Sequence, residues 1–123
     1  MSKRKILLAD DSQTALMMER ALLVGSPYEV IVATDGQDAV QQAIANDPDL
    51  IILDVVMPNM DGFEACRELR RLDVTRDTPI IMVTTRGEPH NVERGYEVGC
   101  NDYVTKPING IELLSKVRNL LGD

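Results

Sequence analysis

Leu50-Ile51-Ile52-Leu53 is an apolar run with no polar residue between its members, and it ends on Asp54. A strand with one wet face alternates apolar and polar residues, whereas an unbroken run suits a strand buried on both faces of a parallel sheet. Lys5-Ile6-Leu7-Leu8-Ala9 and Pro79-Ile80-Ile81-Met82-Val83 have the same character, and Glu29 to Thr34 and Asp102 to Thr105 read as flanking strands. Between the runs apolar residues recur at helical spacing: Ala39, Val40, Ala43 and Ile44 in one segment, Ile111, Leu114, Val117 and Leu121 in another. Five strand-then-helix units predict an open, doubly wound α/β sheet, because parallel neighbours need crossover connections and helices must cover both faces. A closed eight-stranded barrel needs a longer chain.

The chain has 123 residues, 44% of them hydrophobic, which is enough for one core. No long stretch rich in Gly, Ser or Pro marks a boundary, so residues 1–123 are expected to form one domain. Twenty acids against 13 bases leave a net charge of -7, which argues against attraction to nucleic-acid backbones or an anionic membrane surface. Neither direct nucleic-acid binding nor membrane insertion is expected. The basic start, Met1 to Lys5, precedes an apolar run, Ile6 to Ala9, that falls short of a signal-peptide core of roughly 7–15 residues. A cytoplasmic location follows as an expectation. Cys66 and Cys100 lie far apart without metal-type spacing and read as reduced core thiols.

In an open parallel sheet ligands bind beyond the carboxyl ends of the strands. Asp10 and Asp11 follow the first run, Asp54 the third, Thr84 the fourth and Lys106 the fifth. Capping of a helix that begins near Ser12 would account for Asp10 and Asp11. It leaves Asp54 over, because the loop Val55 to Gly62 separates Asp54 from the following helix. Three carboxylates at one edge repel one another unless a proton or cation intervenes, and hard oxygen donors suit Mg²⁺. A carboxylate can also attack phosphorus to form an aspartyl phosphate. The metal and Lys106 would supply the charge neutralisation that phosphoryl transfer requires.

Asp10-Asp11-Ser12, Leu53-Asp54 with Met57-Pro58-Asn59-Met60-Asp61-Gly62, Val83-Thr84-Thr85, and Asp102-Tyr103-Val104-Thr105-Lys106-Pro107 occur in that order. Together they resemble the receiver domains of bacterial two-component response regulators across essentially the whole chain, and most closely the single-domain chemotaxis type. The resemblance implies five helices around a five-stranded parallel sheet in the flavodoxin-like order 2-1-3-4-5. It implies that Asp54 is the phosphoacceptor, supported by Thr84 and Lys106. Asp11, Asp54 and the carbonyl of Val56 would ligate Mg²⁺, with Asp10 acting mainly through a metal-bound water. Thr84 and Tyr103 would be the moving parts of the switch, and Lys106-Pro107 a cis peptide. Such a protein is a switch rather than an enzyme, with at most self-phosphorylation from small phosphodonors and slow self-dephosphorylation. The implied partners are a sensor histidine kinase or phosphotransfer protein, and an output protein meeting the surface from His90 to Leu121.

Some positions are particular to this chain. Val56 has no polar group with which to orient a hydrolytic water, Arg86 brings a cation within reach of the phosphate, and branched Thr85 narrows the mouth of the site. His90 reads as a solvated surface residue, and Asp61-Gly62 as turn chemistry before a helix. Arg67, Arg70 and Arg71 with Glu64 and Glu68 read as a solvated helix face with i,i+3 and i,i+4 pairs. Two other functions stand beside the switch: a receiver-fold docking module that works without phosphorylation, and an aspartate-nucleophile phosphatase. The phosphatase needs a second acid shortly after its nucleophile, and here Val55 and Val56 follow Asp54.

Overall fold

A computed structural model describes residues 3–85 and 89–123. Strands and helices alternate through it: β1 (Arg4–Ala9), α1 (Gln13–Leu23), β2 (Tyr28–Ala33), α2 (Gly36–Asn46), β3 (Leu50–Asp54), α3 (Gly62–Arg71), β4 (Ile80–Thr85), α4 (Pro89–Glu97), β5 (Asp102–Lys106) and α5 (Gly110–Leu121). Every pairing in the sheet is parallel and the order is β2-β1-β3-β4-β5, as the resemblance implied. The winding reverses between β1 and β3, which opens a crevice at their carboxyl ends. Among the described residues no helix is long and apolar enough to cross a membrane.

The unbroken apolar runs are explained by what covers each face. Leu7, Ile51, Leu53, Ile80 and Met82 pack with Ala39 and Ala43 of α2 and with Phe63, Cys66 and Leu69 of α3. Ile6, Leu8, Ile52, Ile81 and Val83 point the other way, toward Leu16 and Leu23 of α1 and Leu113 and Val117 of α5. Each such side chain contributes about 1.5–3 kcal/mol on full burial. Ser12, Asp35, Asp61 and Asn109 cap α1, α2, α3 and α5, each accepting from the backbone N–H three residues on. Asp61-Gly62 is thus a helix start.

Three sequence readings shift. β3, β4 and β5 end later than their runs, so Asp54 and Lys106 close β3 and β5, and Thr84 lies inside β4. Asp54 is in register with Val83, and Thr84 with Thr105. In α5 the buried stripe is Leu113, Val117 and Leu121, while Ile111 is 84% exposed because it lies about 200° round the helix from Leu113. Ile44, expected on the inner face of α2, is half exposed.

Arg70 is the third correction, for it is a clamp and not part of a solvated face. It donates to the carbonyls of Gly99 (3.0 Å) and Thr78 (2.7 Å) and to Asn101 Oδ1 (2.9 Å), tying α3 to the segments that lead into β4 and β5. Arg71 and Glu68 do form the expected i,i+3 pair at 3.0 Å. Gly62 is required by close approach: a Cβ there would run into the carbonyl oxygen of Asp54. Cys66 and Cys100 are buried free thiols.

Candidate functional site

The ladder carries the first acid into the crevice, where the Asp10 N–H donates to Ala33 O at 3.1 Å just past the end of β1. Asp10 is fully buried, and its Oδ1 accepts from the Ser12 N–H at 2.9 Å. This turn leaves helix capping to Ser12 and holds the Asp10 carboxylate over the sheet. Asp54 is buried at the end of β3, whereas Asp11 is exposed at the mouth. One carboxylate oxygen from each of Asp10, Asp11 and Asp54 lies within 4.8 Å of the others.

Lys106 reaches this cluster from β5 and donates to Asp54 Oδ2 at 3.1 Å and to Asp10 Oδ2 at 3.3 Å. Burial pushes the Asp54 carboxyl up to about 6, and Asp10 pushes the same way while Lys106 opposes both. Burial pulls the Lys106 ammonium down, but the bonds and charges of Asp54 and Asp10 outweigh it and its pKa rises. Among the described residues, three acids thus face one ammonium. At an effective dielectric of about 20, two charges 4 Å apart interact by roughly 4 kcal/mol, so the excess negative charge is a strong demand for a cation. An all-oxygen donor set of this charge fits Mg²⁺.

Thr84 stands on the neighbouring strand, 1% exposed, and among the described residues its hydroxyl oxygen has no hydrogen-bond partner. An unsatisfied buried hydroxyl costs about 1–3 kcal/mol, which any acceptor arriving in the crevice would recover. Tyr103, one strand further, is half-buried. Its ring meets Tyr96 of α4 edge-on, 5.9 Å between centroids, and lies 4.9 Å from the Lys116 ammonium of α5. Lys116 is itself held by the Tyr103 carbonyl (2.6 Å) and Asp102 (3.0 Å). Val56 is exposed beside the mouth, and the Lys106-Pro107 peptide is cis. The Arg86 reading lies outside the described residues.

One residue escaped the sequence reading. Glu19 of α1 is 3% exposed, and among the described residues its Oε2 has no partner. Burial pushes its carboxyl up to about 7, Asp10 and Asp54 add to that, and Lys106 opposes it. The signal was present: Glu19 falls between Leu16 and Leu23 at helical spacing, an acid on an apolar stripe.

The family profile for the response regulator receiver domain matches residues 6–118. The alkaline phosphatase synthesis transcriptional regulatory protein PhoP of Bacillus subtilis is 38% identical over 96% of this chain and 48% of its own length. The chain spans about half the length, or less, of the curated relatives it matches. The chemotaxis response regulator CheY4 of Vibrio cholerae superimposes with a TM-score of 0.89 at 36% identity, covering 97% of this chain and 99% of that one. The receiver domain of the sensor histidine kinase PA1611 of Pseudomonas aeruginosa, solved with magnesium in its active-site cleft, gives a TM-score of 0.91 at 31% identity, covering 98% of this chain and 99% of that one. Sheet order, acidic crevice and sequence similarity agree, and the chain belongs to the response regulator receiver domains, the phosphorylation-operated switches of two-component signalling.

Proposed function

We propose that Asp54 accepts the phosphoryl group, in a Mg²⁺-dependent transfer from a phosphohistidine of a sensor kinase or phosphotransfer protein, and that residues 1–123 act as one receiver unit in the cytoplasm. The observation that carries this reading is the convergence of Asp54 with Asp10, Asp11 and Lys106 beside an unpartnered Thr84 hydroxyl. Asp11, Asp54 and the Val56 carbonyl would hold the metal, and Asp10 would reach it through water. The ion supplies neutralisation of the charge gathered on the transferring group.

An Asp54 oxygen attacks the phosphorus, the P–N bond breaks, and its electron pair stays on the imidazole nitrogen. The phosphoryl group adds about -1.5 to -2 charges and three acceptor oxygens. Lys106 pairs with that charge, and the Thr84 hydroxyl donates to a phosphoryl oxygen. The output protein then meets a reshaped surface between His90 and Leu121. A small phosphodonor replaces the kinase in the test. Acetyl phosphate with Mg²⁺ should add one phosphoryl group by intact-mass spectrometry, and Asp54→Asn should add none. A modified Asp54→Asn protein would move the acceptor elsewhere, and an unmodified native chain would leave a docking module in its place.

A further inference from the structure

We infer that Glu19 is a positioning residue for Lys106: it offers the ammonium a second carboxylate when a divalent cation draws on Asp10 and Asp54. The inference rests on reading the three aspartates as the Mg²⁺ site. Glu19 and Lys106 line the same groove of about 300 Å³, between α1 and the segment that follows β5. Its other walls are Ala15, Met18, Leu22, Pro107 and Ile108. None of these side chains can donate a hydrogen bond. Among the described residues Lys106 is the one donor side chain lining the groove, and its four-carbon stem is flexible.

The need for a second position follows from charge. Lys106 is shared by Asp10 and Asp54 at 3.3 and 3.1 Å. A divalent ion on those carboxylates takes over their charge and repels an ammonium a few ångströms away. Lys106 must then find another anion or lose its partner inside an apolar groove. Glu19 is 3% exposed, lines the same groove as Lys106, and among the described residues its Oε2 has no hydrogen-bond partner. An acid buried this way, if it served only as packing, would be replaced without loss by its neutral isostere.

Calorimetric Mg²⁺ titration of the native chain, Glu19→Gln, Lys106→Met and the double variant tests the inference. Glu19→Gln should weaken Mg²⁺ binding roughly 3–10-fold, because Lys106 stays on the aspartates and competes with the ion. In the Lys106→Met background the same substitution should change affinity by less than about 2-fold, since the competitor is gone. NMR of the Lys106 side chain in the native protein gives the second readout: adding Mg²⁺ should bring its ammonium against Glu19. Unchanged Mg²⁺ affinity in Glu19→Gln, an equal loss in both backgrounds, or a Lys106 ammonium that stays on Asp10 and Asp54 would each overturn it. If Glu19→Gln does not fold, the native-chain NMR decides alone. The aspartate reading fails separately: Mg²⁺ affinity that survives Asp11→Ala would sink it before Glu19 is considered.

Discussion

Asp54 and Glu19 are carboxyls lifted by the same cause, loss of water, and each binds its proton more tightly in the folded chain than in the unfolded one. For Glu19 the window runs from the ordinary 4.5 to about 7, and for Asp54 from 3.8 to about 6. Within it the native chain carries more protons than the unfolded chain, so these groups lower stability as pH rises. In chelator, Glu19→Gln should therefore melt higher than the native chain at pH 7.5, by about 1 kcal/mol or more, and the gap should shrink toward pH 5. A shift of 1 kcal/mol is roughly 2–8 °C in a domain of this size, which thermal denaturation resolves. A gap that is constant with pH would mean that Glu19 has the same pKa in the native and unfolded chains. A residue that weakens the metal-free chain while aiding metal binding is a trade of stability for function.

Helix α3 shows the same dependence on distant partners at the scale of an element. Its sequence, with Glu64, Arg67, Glu68, Arg70 and Arg71, reads as charged along its length. Arg70 nevertheless turns inward, because the carbonyls of Thr78 and Gly99 and the side chain of Asn101 gather around it from 8, 29 and 31 residues away. Arg70→Ala should cost about 2–4 kcal/mol, since several charged hydrogen bonds are lost together and partly buried carbonyls are left open. Exposed Arg67→Ala should stay within about 0.5 kcal/mol. Urea denaturation of the two variants separates them, and equal midpoints would refute the clamp. At the other end of α3, Gly62→Ala should destabilise by about 1–3 kcal/mol or more, because the added methyl meets Asp54 backbone that β3 holds fixed.

At the scale of the molecule, the crevice and the surface from His90 to Leu121 are joined by adjacent strands, with Thr84 on β4 and Tyr103 on β5 between α4 and α5. Two charge-assisted hydrogen bonds, from Lys106 and Thr84 to an added phosphoryl group, contribute on the order of 3–6 kcal/mol. Carrying a two-state equilibrium from 1:99 to 99:1 takes about 5.5 kcal/mol, so the response can be large. Beryllofluoride with Mg²⁺ should therefore shift amide NMR signals of α4, β5 and α5, and Thr84→Ala should reduce those shifts severalfold. Changes confined to the loops around Asp10, Asp54 and Lys106, or a full response in Thr84→Ala, would exclude this route.

The alternation of apolar runs with helical spacing determined the α/β class, and the residues at the ends of those runs identified Asp10, Asp11, Asp54, Thr84 and Lys106 as neighbours. Both are local properties: a strand buried on two faces shows no polar alternation, and the polar residue ending it must lie at the sheet edge. The order 2-1-3-4-5 came from family resemblance, because periodicity does not say which strand lies beside which. Tertiary structure alone decided what Arg70 and Glu19 do. The groups around them come from other segments of the chain, and although Glu19 stands out as an acid on an apolar stripe, the sequence does not say that a ring of carbonyls surrounds Arg70 or that Glu19 shares a groove with Lys106.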